Sequence, residues 1–118
     1  MTIRPLFVAL AVLVLAGCAA DPAPNEQLRL TEQALEQAKA VGANTDELAE
    51  LKLAESKLAQ ARADMAEQSY KDARMQAEQA ELDARLAEAR VLTQKSQEQL
   101  NVLNTRIARL RKQLSEAQ

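Results

Sequence analysis

The sequence predicts an all-α protein: an antiparallel helical hairpin or a three-helix bundle, with a last helix that is long and coiled-coil-like at its C-terminal end. Ala, Leu, Glu, Gln, Lys and Arg dominate, and these residues lose little side-chain freedom in a helix. The 118 residues include two Gly, three Pro and two aromatic residues, and apolar residues recur at spacings of three and four. The net charge of −2 gives no general attraction to nucleic acid, so no nucleic-acid partner is expected.

Residues 1–17 have the pattern of a secretory signal peptide. Arg4 supplies a positive charge, and residues 6–16 form an unbroken apolar run of eleven. A membrane-spanning helix needs about 20 apolar residues, so this run is too short to be a permanent membrane segment. We expect it to be cleaved from the mature protein.

The cut site is the strongest motif in the chain. Leu15, Ala16, Gly17 and Cys18 resemble the lipobox of bacterial lipoproteins. The resemblance implies cleavage between Gly17 and Cys18, a diacylglycerol on the Cys18 sulfur and an N-acyl chain such as palmitate, with no other cofactor. The alternative is an ordinary secretory signal followed by a free thiol. Two or more acyl chains hold a protein stably on a membrane, whereas one holds it reversibly.

The residue after the cysteine bears on sorting. In lipoproteins of this type an Asp there commonly signals retention in the inner membrane, whereas this chain has Ala19. The resemblance therefore implies the periplasmic face of the outer membrane. Residues 18–25 then form a flexible tether, in which Pro22 and Pro24 favour polyproline geometry with about 20 Å of reach.

Residues 26–91 are predicted to form an alanine-rich bundle. The first helix, with Asn25 as N-cap, has an apolar seam at Leu28, Thr31, Leu35 and Ala38. Gly42 is expected to stop it, and Thr45 to cap the second helix. The seam of the second helix is expected at Leu48, Leu51, Ala54, Leu58, Ala61 and Met65.

The third seam repeats the same spacing, and larger neighbours such as Leu82 and Leu86 are expected to add buried area. Its positions are Tyr70, Ala73, Ala77, Ala80, Ala84, Ala87 and Val91. Residues 67–69 contain neither Gly nor Pro. The sequence therefore leaves open whether the second and third helices are split near Gln68–Tyr70 or form one continuous helix.

The alanine pattern resembles an uncharacterised family of short alanine-rich bacterial envelope lipoproteins, a domain of unknown function. The residues that carry the resemblance are Ala54, Lys57, Leu58, Ala61, Tyr70, Ala73, Ala77, Ala80, Asp83 and Ala84, with a looser match over residues 40–43. Some members are joined to an OmpA-like peptidoglycan-binding domain. The family implies no biochemical activity, and it often has a Gly-Asp turn where this chain has Gln68 and Ser69.

Residues 92–118 are predicted to be a coiled-coil-like helical extension. After a polar phase shift over residues 93–99, a new stripe of larger apolar residues begins: Leu100, Leu103, Ile107, Leu110 and Leu114. Because a monomer would leave this stripe exposed, we expect a homo-oligomer or an envelope protein partner.

Four cations lie near the C-terminus: Arg106, Arg109, Arg111 and Lys112. They complement a helix dipole, or they contact an anionic envelope polymer such as peptidoglycan without a covalent bond, or an acidic partner.

No enzymatic chemistry is expected. The chain has no His, its single thiol is the expected lipidation site, and it lacks a glycine-rich phosphate loop. Glu78, Glu81 and Glu88 are expected on a solvated helix face, with Arg85 pairing Glu81. No group of His, Cys or Asp residues has the spacing of metal ligands, so no metal site is expected.

The function expected from these features is that of a structural or adaptor lipoprotein that tethers or spaces envelope components. One alternative resembles the major murein lipoprotein, but without covalent attachment, because that family uses a C-terminal Lys where this chain has Gln118. The other is a helical binding module that assists an envelope complex.

Overall fold

The computed structural model describes residues 21–117, and over that range it consists of three helices. They are α1 (Asn25–Ala40), α2 (Ala49–Ala66) and α3 (Tyr70–Glu116). Short connections make consecutive helices antiparallel, and each helix packs against the other two. The prediction of an all-α fold with a long last helix is therefore confirmed, and the bundle has three helices rather than two.

The core is a set of alanine seams. Helix α3 buries five alanines completely, and they face the buried sides of α1 and α2. The buried apolar residues of the three helices are Ala34, Leu35, Ala38, Leu51, Ala54, Leu58, Ala61, Ala73, Ala77, Ala80, Ala84 and Ala87. These positions include most of those predicted from the three-and-four spacing. Because a methyl side chain occupies little space, the helices approach closely and each residue buries little area.

The expectation that Leu82 and Leu86 add buried area to the core is wrong. They are 67% and 45% exposed, although their neighbours Ala80 and Ala84 are fully buried. Each leucine lies two residues beyond an alanine of the seam, and a helix turns by about 100° per residue. The leucines therefore lie on the side of α3 that faces away from the core.

The predicted stop at Gly42 is confirmed, because helix α1 ends at Ala40 and Gly42 follows its C-cap. Gly42 has φ +103°, its N–H donates to the Lys39 carbonyl at 2.9 Å, and the Ala43 N–H donates to the Ala38 carbonyl at 2.9 Å. This pair of bonds is a Schellman motif, which requires a left-handed residue and so favours glycine.

The same motif separates α2 from α3, so the alternative of one continuous helix is wrong. Gln68 takes the left-handed position with φ +61°. Its N–H donates to the Met65 carbonyl at 3.1 Å, and the Ser69 N–H donates to the Asp64 carbonyl at 2.8 Å. Left-handed backbone is unfavourable for a residue with a Cβ and is usually occupied by glycine. A glutamine at position 68 therefore does not predict the break.

The two predicted N-caps were also wrong. Asn25 is the first helical residue, and the capping position belongs to Pro24, which is buried although it was assigned to the flexible tether. Helix α2 begins at Ala49, after Leu48. Asn44 forms a separate turn first, because its carbonyl accepts the Leu48 N–H at 2.9 Å and its side chain accepts the Asp46 N–H at 3.1 Å.

Enlarging the alanine seam is expected to destabilise the bundle. Ala80→Leu inserts three carbons where α3 meets the other helices, and the overpacking should lower the free energy of unfolding by about 1–3 kcal/mol. Urea denaturation followed by circular dichroism measures this change. Ala59→Leu, on the exposed side of α2, is the matched control and should have little effect; equal losses in both variants would contradict the assigned core.

Relieving the strain at Gln68 is expected to stabilise the protein. Gln68→Gly removes the Cβ from a left-handed residue, so the free energy of unfolding should rise by about 1 kcal/mol. Thermal or urea denaturation of the full chain tests this. Glu67→Gly, one residue earlier with φ −85°, should instead lower stability because it only adds unfolded-state freedom. A loss of stability in both variants would contradict the turn described here.

Candidate functional site

The candidate site is the C-terminal part of α3, which extends beyond the bundle. All described residues after Val91 are exposed, and the helix continues from there for about 37 Å at 1.5 Å per residue. The five residues of the predicted stripe share one side of this extension and are 46–68% exposed: Leu100, Leu103, Ile107, Leu110 and Leu114. The extension therefore presents an apolar surface that nothing in the described chain covers.

The stripe continues back along the bundle in one register. Its alternating spacing of three and four runs through twelve positions of α3, which we call the outer seam: Met75, Gln79, Leu82, Leu86, Ala89, Thr93, Ser96, Leu100, Leu103, Ile107, Leu110 and Leu114. The outer seam is offset by two residues, or about 200°, from the buried alanines. It therefore lies on the opposite side of α3 from the core.

This continuity changes the interpretation of the polar phase shift. The buried seam ends at Val91, while the outer seam passes through residues 93–99 with hydroxyl side chains at Thr93 and Ser96. No new stripe begins after the bundle. The sequence signal for the outer seam lies in Met75, Leu82 and Leu86, of which Leu82 and Leu86 were expected to add to the core.

The four predicted cations do not share a face. At 100° per residue, Arg106 and Arg111 flank the apolar stripe on its two sides, whereas Arg109 and Lys112 lie on the opposite side of the helix. Lys112 lies 3.7 Å from the Glu116 carboxylate. The last turn of α3 contains no basic residue. Because the interaction of a cation with the helix dipole falls off within the last turn, these four cations interact with it only weakly.

Ion pairs within the bundle contrast with the extension. Four of them join different helices: Lys39–Glu55 and Arg62–Glu32 between α1 and α2, and Lys57–Asp83 and Arg90–Glu50 between α2 and α3, with N–O distances of 2.5–2.9 Å. Lys57 and Asp83, both part of the alanine-rich family pattern, are the least exposed pair. By contrast, Arg106, Arg109 and Arg111 form no ion pair with the described part of the chain.

Two further polar contacts fix the position of α3. The buried Thr31 hydroxyl lies 2.8 Å from the Gln27 carbonyl and 2.9 Å from the Ala77 carbonyl, so it ties α1 to α3. The Lys95 ammonium donates to the Val41 carbonyl at 2.6 Å, where the C-terminal end of α1 carries partial negative charge. Lys95 therefore marks the point at which the bundle ends and the extension begins.

Residues 21–117 contain no group of three acidic or Cys side chains that could hold a metal ion. No helix within that range is long and apolar enough to cross a membrane. The predicted lipidation and sorting positions, Gly17, Cys18 and Ala19, lie outside the described residues.

The carboxylate of Glu81 makes polar contacts both within α3 and with α1. The Gln27 amide donates to it at 2.7 Å, and Arg85 pairs with it at 2.5 Å. Together these contacts, the Gln27 hydrogen bond first, lower the pKa of Glu81 against the opposing effect of its partial burial. Glu81 is therefore a structural residue that joins α3 to α1.

Gln27→Ala is expected to destabilise the protein in a pH-dependent way. Because the folded-state pKa of Glu81 is depressed, its stabilisation is present above the unfolded-state pKa of about 4.3 and is lost as pH falls through the folded-state value. The difference in free energy of unfolding between the variant and the parent should thus shrink below about pH 4.3. Urea denaturation between pH 7 and pH 3 tests this, with the exposed Gln37→Ala as control. A constant difference would show that Gln27 does not act through the Glu81 charge.

Comparison with known proteins identifies the family but no activity. The family model described as a domain of unknown function (DUF4398) matches residues 26–103. A crystal structure of a DUF4398 family protein from Pseudomonas aeruginosa PAO1 is 66% identical in sequence, with a TM-score of 0.78 over 82% of this chain and 100% of that chain. No curated protein matches the chain. The resemblance seen in the alanine pattern is confirmed at the level of the domain, and this chain belongs to the DUF4398 family.

Proposed function

We propose that this protein is a non-enzymatic structural or adaptor lipoprotein, anchored through Cys18 to the periplasmic face of the outer membrane. In this proposal the bundle is a spacer and α3 is a binding rod that tethers or spaces envelope components. The observation that carries the proposal is the length and exposure of α3: one uninterrupted helix of 47 residues that serves both the core and the extension.

The position of the chain's N-terminal side supports this arrangement. The Arg74 guanidinium donates to the Pro22 carbonyl at 3.3 Å, so the described chain enters the bundle beside the first turns of α3. The opposite end of α3 is about 70 Å away at 1.5 Å per residue. A lipid attached four residues before Pro22 would therefore sit near one end of the rod, and the apolar stripe near the other.

The surface of the extension supports a binding role over a catalytic one. Binding surfaces are marked by contiguous exposed apolar side chains, and the stripe provides these without an enclosing cleft. The two arginines that flank the stripe, Arg106 and Arg111, favour a second candidate in the same compartment: a non-covalent contact with an anionic polymer such as peptidoglycan. A helical module that assists an envelope complex would use the same surface.

Removing the thiol tests the anchor. Cys18→Ser should abolish incorporation of labelled palmitate and leave the protein uncleaved before residue 18, because both steps of the lipobox pathway require the cysteine sulfur. Metabolic labelling and the mass of the mature protein measure these effects.

Two variants at the next position complete this experiment. Ala19→Ser keeps the cysteine and should be labelled like the parent, which controls for changes near the cut site. Ala19→Asp should also be labelled but should move to the inner-membrane fraction. Cleavage and membrane retention of Cys18→Ser at the parental level would refute the lipid anchor.

A further inference from the structure

We draw no further inference here: the strongest candidate, the exposed apolar surface patch along the outer seam of α3, carries none, because nothing in the described part of the chain shows what covers it.

Discussion

The structure depends on close packing against the alanine side of α3. Because Ala73, Ala77, Ala80, Ala84 and Ala87 are fully buried methyl groups, α1 and α2 can approach the α3 backbone itself. That proximity brings the Thr31 hydroxyl to the Ala77 carbonyl and allows short ion pairs to join neighbouring helices. Small residues bury little area, so the bundle relies on the whole length of the seam and on these polar contacts.

The second consequence of the alanine seam is that the larger apolar residues of α3 face outward. Most helices of a bundle have one apolar side, which faces the core. Helix α3 has two apolar sides, separated by about half a turn. The inner one holds the bundle together and ends at Val91. The outer one continues for more than twenty residues beyond it. One helix therefore supplies both the core of the bundle and the exposed apolar surface.

Sequence periodicity predicted the helices and most of the buried positions, because the three-and-four spacing reports directly on one side of a helix. Gly42 was predictable as a left-handed residue, whereas Gln68 was not, since its conformation is imposed by the chain reversal and not favoured by its side chain. The outer seam is not evident from the sequence because Gln79, Thr93 and Ser96 interrupt it. Only the three-dimensional arrangement distinguished Leu82 and Leu86 from core residues. The lipidation of Cys18 and the sorting role of Ala19 stay predictions.

The hydrogen bond from Lys95 to the Val41 carbonyl divides α3 into two regimes of local stability. Before it, helical turns are held by tertiary packing and open only when the bundle does. After it, the turns depend on their own hydrogen bonds, without the tertiary packing that supplies most helical stability in proteins. The extension should thus fray from its C-terminal end and exchange its amide protons rapidly. A partner that binds along the apolar stripe must offset the entropic cost of ordering the extension as a helix. Helical order in the extension therefore reports whether a partner is bound.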